Sequence, residues 1–292
     1  MSLKQLREFI GAHGAKGLVE PTPAEMKAAV EAIRTSLENQ FSQKGSYYPR
    51  ASSLGHPARR LWWMKRYPHL QGDVAPTTRM TFFQGDALEA WFMLWLKVTS
   101  RVTKKFKVTH VQHKGQTEFA GETVRGTCDL VIDGRLYDVK TTNDAHYTEK
   151  WQSFETLVAN DTYGYIEQAA LYAKMLNLPF GGWIVINKNN GEFKLVEAEG
   201  EYAAYLLDTA LDALGERMQL AQQEQMPEMC HQPFIENNTG NLRVAYECAR
   251  CPFVKKCFPE STKATRGKTT MYYLGEIKSI PSGVKIIHED TE

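Results

Sequence analysis

Apolar and polar positions alternate along two short runs that flank Asp133-Gly134: Gly126-Thr-Cys-Asp-Leu-Val-Ile132 before it and Arg135-Leu-Tyr-Asp-Val-Lys140 after it. Period-two runs around an Asp-Gly dipeptide predict a β-hairpin closed by a two-residue turn. Such a turn sets the register: Ile132 opposite Arg135, Val131 opposite Leu136, Leu130 opposite Tyr137 and Asp129 opposite Asp138. Elsewhere the period is helical. Thr22-Pro23-Ala24-Glu25 is a capping box opening a helix to about Gln40. Further helices are expected over 77–101, from Tyr163 to about Leu176, and over 201–224. Residues 105–142 predict three or four strands, and Gly181–Asn187 and Phe193–Ala198 two more. Residues 43–50 read as a linker, and 144–161 as a mobile loop containing aromatic residues. This order describes an α/β core with a mixed sheet covered on both faces.

A chain of 292 residues, 42% hydrophobic, can bury one large core or two modest ones. Lys+Arg 35 against Asp+Glu 34 leaves a net charge of +1, so any polyanion-binding surface must come from local clustering. The first residues lack a continuous apolar run and predict no signal peptide. Leu88–Leu96 is too short to span a bilayer, and no membrane association is expected. Five cysteines, three of them between 248 and 257, suit a metal site in a reducing cytosol better than a disulfide framework. The expected divisions are a helical accessory region at 1–50, a core at 51–227, a cysteine segment at 228–260 and a C-terminal arm at 261–292.

Chemistry concentrates on the hairpin. Opposed carboxylates at Asp129 and Asp138 repel each other, and a hard divalent cation between them turns that repulsion into a ligand set. Lys140 shares a strand face with Asp138, whereas Val139 and Cys128 point the other way, into a core. Two acids and a lysine on one face suit metal-assisted phosphodiester hydrolysis; a surface hairpin with an ordinary salt bridge is the plain alternative. Glu89 lies beside the apolar stripe of the 77–101 helix, with Asp86 as the competing carboxylate. Gln168 and Tyr172 share a helix face, with Tyr165 one turn before them. Arg59 and Arg60, among tryptophans on a short helix after a serine cap, could hold DNA phosphate, or form a wet basic face. Cys248-x2-Cys251-x5-Cys257, with Cys230 upstream, has the spacing of a zinc or iron–sulfur site.

In order, these pieces resemble the RecB-like branch of the PD-(D/E)xK nucleases, over about residues 50–260. The order is glycine–carboxylate helix, Gly-x-x-Asp, Asp-x-Lys, Gln-x3-Tyr and Cys-x2-Cys-x5-Cys. The likeness is strongest to the iron–sulfur members: CRISPR adaptation nucleases, AddB-type subunits and small phage exonucleases. The resemblance implies a restriction-endonuclease-like core, with Asp129, Asp138 and the Val139 carbonyl as ligands of Mg²⁺ or Mn²⁺. Lys140 would be the catalytic lysine, and Gln168 and Tyr172 its support. Glu89 stands where many members carry histidine. The usual N-terminal cysteine is missing, so either Cys230 or His56 would join Cys248, Cys251 and Cys257 around a structural [4Fe–4S] cluster, or around Zn²⁺. The implied function is a DNA exonuclease preferring single-stranded ends in a bacterial or phage-infected cytosol, with recombination or replication proteins as candidate partners. A cleavage-dead DNA-binding scaffold and a structure-specific endonuclease with structural zinc are the rivals.

Overall fold

The structure is a computed structural model that describes residues 19–41, 47–70, 76–267 and 269–287. The helical expectation for the first eighteen residues, and half of the expected linker, lie outside them. The chain forms two compact units, one drawn from 1–55 and 74–215, the other from 56–73 and 216–292.

The first unit is built on a five-stranded mixed sheet in the order β1 (Val108–Phe119), β2 (Glu122–Ile132), β3 (Arg135–Thr142), β4 (Phe180–Asn187), β5 (Phe193–Glu197). Neighbours are antiparallel except β3 and β4, which run parallel. The hairpin is as the alternation predicts: Ile132 pairs with Arg135, Val131 with Leu136 and Leu130 with Tyr137. Asp133 and Gly134 take φ of 49° and 79°, the two left-handed residues of a type I′ turn. The ladder does not continue to Asp129 and Asp138. Instead the Asp129 carboxylate accepts the Val139 N–H at 2.7 Å, so a side chain replaces the next rung and the two acids are not a ladder pair.

Helix α1 (Pro23–Phe41) opens with the reciprocal capping box: the Glu25 N–H donates to Thr22 Oγ1, and the Thr22 N–H to Glu25 Oε2. It packs on the long α4 (Pro76–Thr103). Phe92, Met93 and Leu96 of α4 meet Leu130, Ile132, Tyr137, Val139, Ile184 and Ile186, which are every second residue of three central strands. The serine cap is not found. Ala51–Leu54 forms a one-turn α2, and α3 (Ala58–Arg66) starts after Pro57 with no side-chain cap, while Ser53 Oγ donates to the Arg50 carbonyl.

The parallel β3–β4 pair requires a crossover, and here the loop expected over 144–161 is overturned. It contains α5 (Asp144–Thr148), capped by Asn143, and α6 (Phe154–Ala159), opened by a Ser153/Thr156 capping box. Tyr147, Trp151, Phe154 and Leu157 anchor the segment by burial. Helices of five and six residues are too short to display a 3.6 period. The crossover then enters α7 (Tyr165–Leu176).

In the second unit, strands β6 (Phe234–Ile235), β7 (Leu242–Arg243), β8 (Thr262–Arg266), β9 (Thr269–Leu274) and β10 (Val284–Ile286) form an antiparallel sheet ordered β10-β8-β9-β7-β6. Residues read as a polar arm thus supply three strands, because Ala264, Met271 and Tyr273 bury their side chains together. Between β7 and β8, short α9 (Tyr246–Ala249) and α10 (Val254–Cys257) carry Cys248 and Cys257. The remaining helix is α8 (Gly200–Gln222). The result is an α/β protein with a mixed central sheet flanked by helices and a cysteine-rich C-terminal segment. Among the described residues no helix is long and apolar enough to cross a membrane.

Candidate active site

Strand parity turns Tyr137 and Val139 towards α4 and leaves Asp138 and Lys140 facing α7. Asp138 is 2% exposed, and Lys140 Nζ lies 2.5 Å from its Oδ2. Yet neither Asp138 oxygen, both buried, accepts a well-directed hydrogen bond. Among the described residues an off-axis ammonium alone answers this buried carboxylate, which leaves lone pairs suited to a further cation. On the other side, Lys140 Nζ donates to Gln168 Oε1 at 3.2 Å, and Gln168 Nε2 donates to the Tyr172 hydroxyl at 2.9 Å. The i,i+4 pair of α7 therefore forms a relay behind the lysine. The Tyr165 ring lies below the ammonium, its centroid 5.2 Å away.

Of the two acids on α4, Asp86 is committed to α1, accepting the Ser36 hydroxyl. Glu89 instead turns to the hairpin. Glycine at position 85 lets α4 come close, since a Cβ there would stand 2.9 Å from Thr141 Oγ1. Burial, then the charges of Asp138 and Asp86, pushes the Glu89 carboxyl up to about 8 against the pull of Lys140 and Gln112. Burial, then Glu89 and Asp138, likewise raises Asp129 well above the carboxylate range, opposed by Lys140 and the Val139 N–H. For Lys140, burial works against the charged form, but Asp138 and Asp129 outweigh it and hold the ammonium protonated. Three acids crowd one lysine, and burial with too little positive charge pushes Glu89 and Asp129 upward.

Sequence reasoning missed two residues. Gln112, in β1, takes φ 52° where a strand residue would be extended, and its amide donates to Glu89 Oε1 and to Asp129 Oδ1, the latter at 3.5 Å. It holds together the acids that lack a cation. Nothing in its local sequence signals this, because the side chain becomes useful only through an unusual backbone angle. Lys150 is buried over the rings of Tyr165 and Tyr163 at 4.5 and 4.8 Å, steadying the aromatic floor under Lys140. A lysine in a segment read as a loop gives no hint of that place.

Cys230, Cys248, Cys251 and Cys257 line one small cavity of the second unit together with Arg59, Arg60, Trp63 and Phe253. All four are free thiols. His56 does not line it, and burial, with Arg60 and Arg217 nearby, pushes its imidazole down to about 4. Burial and the neighbouring sulfurs push Cys248 up to about 12. Cys128 is buried in the first unit and does not line that cavity, as expected of a core residue. Arg59 and Arg60 are only partly exposed and face the cysteines.

Donor chemistry fits a cation at both places: oxygens with open lone pairs at one, convergent thiols at the other. Among the described residues, however, no three His, Cys, Asp or Glu side chains have closed to metal-holding geometry.

No family model matches the chain, and no curated protein does. Several solved structures resemble it distantly. SSO0001 is 14% identical, with a TM-score of 0.38 over 77% of this chain and 92% of its own. A protein from Eubacterium rectale proposed to be an exonuclease is also 14% identical, with a TM-score of 0.35 over 79% and 84%. At these scores neither likeness assigns an activity.

Proposed function

We propose that the chain is a divalent-metal-dependent DNA nuclease, acting as an exonuclease on single-stranded ends. The supporting observation is the buried Asp138 carboxylate, which among the described residues accepts no well-directed hydrogen bond and has Oδ2 against a charged Lys140, set among Asp129 and Glu89. Asp129, Asp138, Glu89 and the Val139 carbonyl would hold Mg²⁺ or Mn²⁺, which supplies Lewis acidity at the phosphate and eases ionisation of the attacking water. Lys140 keeps its proton through the reaction and offsets negative charge growing on the phosphoryl oxygens. Gln168, braced by Tyr172, fixes the ammonium so that no reorientation is needed as that charge develops. Gln112, which donates to Glu89 and Asp129, would give up those contacts in a metal-bound site. Cys230, Cys248, Cys251 and Cys257 would hold a structural [4Fe–4S] cluster or Zn²⁺, tying the short elements of the second unit together.

The decisive experiment is digestion of end-labelled single-stranded DNA by wild type and Asp138→Ala protein, with Mg²⁺, Mn²⁺ or EDTA. The expected result is metal-dependent loss of label with wild type alone. Equal digestion by Asp138→Ala sinks the site. Cleavage of a closed single-stranded circle replaces the exonuclease reading with an endonuclease, because a circle offers no end. Tight DNA binding without cleavage in either metal replaces it with a binding scaffold.

A further inference from the structure

Among the described residues, three buried N–H groups around the cysteine cavity have no acceptor: Arg59 Nε, Arg60 Nε and Trp63 Nε1. All three belong to α3, and all three residues line the cavity of the four cysteines. The helix is not loosely placed. Trp62 Nε1 donates to the Gln223 carbonyl at 3.0 Å, Arg66 to the carbonyls of Ala221 and Gln222 at 2.9 and 3.2 Å, and Arg59 Nη1 to Pro227 at 3.2 Å. Anchored at those points, α3 still leaves three donors unsatisfied on the face that meets the thiols. A buried donor left without an acceptor is costly, more so when charged, so this face is suited to a further acceptor.

Thiol sulfur is a weak acceptor, whereas metal-bound thiolate is a good one. Two backbone donors already point at sulfur: the Arg60 N–H at Cys230 and the Phe253 N–H at Cys251. The charge also matches. Four thiolates around a divalent ion carry a net charge of about −2, which two guanidiniums offset. Three thiolates and a neutral His56 would leave about −1.

We propose that α3 is the charge-compensating wall of a four-thiolate centre. Arg59 and Arg60 neutralise it, and Arg59 Nε, Arg60 Nε and Trp63 Nε1 donate to its sulfur ligands. This rests on the cysteine-centre part of the proposed function and gives the two arginines a task other than gripping DNA. They are positioning residues for the centre and take no part in cleavage.

The test uses the full chain, purified and reconstituted with iron and sulfide or with zinc. Metal per chain, visible absorption and the rate of metal release to a chelator are measured for wild type, Arg59→Gln, Arg60→Gln, Arg60→Lys and Trp63→Phe. Release from Arg60→Gln should be about ten-fold faster or more, the usual scale for losing an outer partner of a ligand. Arg60→Lys should recover part of that, and Trp63→Phe should fall between Arg60→Gln and wild type. If Arg60→Gln does not fold, Arg60→Lys and Trp63→Phe carry the test. Unchanged metal content and release in all folded variants, with wild type loaded, overturns the proposal and leaves the centre standing. Wild type that takes up neither metal overturns the centre and the proposal together. Weakened DNA binding with unchanged release also overturns it and returns the arginines to the nucleic acid.

Discussion

At the residue scale, the site is governed by a shortage of positive charge. Among the described residues, Lys140 is the cation that the structure sets against Asp138, Asp129 and Glu89. Removing it leaves a buried acid with nothing to answer it, so Lys140→Ala should destabilise the metal-free protein by roughly 3–5 kcal/mol. Lys140→Ala with Asp138→Asn should restore most of that in a denaturant titration. The same shortage sets a pH dependence. Glu89 is raised from 4.5 to about 8, so folding favours its protonated form. That stabilisation is complete below about pH 4.5 and is lost as pH rises through about 8. Asp129 shifts in the same direction. Melting temperature in EDTA should therefore fall over this window. Glu89→Gln should flatten the fall, and the gain from added Mg²⁺ should grow with pH as the acids ionise. A gain from Mg²⁺ that does not change with pH would contradict the assignment of Glu89 to the cation.

At the element scale, α7 must bring Gln168 to the lysine, and a single close contact decides whether it can. Gly55, at the end of α2, and Gly164, just before α7, touch backbone to backbone. A Cβ on Gly164, whose φ is 78°, would lie 2.4 Å from the Gly55 Cα. Asp161 secures the same end by accepting from the N–H groups of Tyr163, Gly164 and Ile166. Gly164→Ala should cost about 1–2 kcal/mol for the left-handed backbone and about 1–3 kcal/mol for the overlap, read as a lower melting temperature. It should also lower the cleavage rate, because Gln168 moves with the helix. The hairpin was legible in the sequence because a two-residue turn has few solutions. Gln168, Tyr172 and Tyr165 were legible because helical spacing alone puts them on one face. The crossover was not: α5 and α6 are defined by capping side chains and buried aromatics, which local periodicity does not register.

At the scale of the whole molecule, the two units depend on different things. The first has an extensive sheet core. Among the described residues the second holds two small apolar clusters and short elements around its cysteines, so the proposed centre would add to its stability. Stripping the proposed centre with a chelator should therefore accelerate amide exchange within 56–73 and 216–292 and leave β2 and β3 protected, as hydrogen-exchange mass spectrometry would show. Uniform loss of protection in both units would contradict a local structural role for the cysteines. Cys248→Ser should reproduce the chelator effect without added chelator.

The sequence by itself determined the alternations, the turn and the helix faces, because these depend on neighbours within a few residues. From them came the hairpin register, the α/β order, the shared face of Asp138 and Lys140, and the grouping of the last three cysteines. Tertiary structure alone decided which distant groups meet. It broke the ladder beyond Leu130 and Tyr137, so that Asp129 bonds the Val139 N–H where a rung facing Asp138 was expected. It assigned Asp86 to Ser36 and Glu89 to the hairpin, brought in Gln112 by bending its backbone, and set Cys230, not His56, beside the other three thiols. The physical reason is common to all of these. Local pattern states which way a side chain points, but burial, charge and hydrogen bonding are settled only by what the folded chain places opposite it.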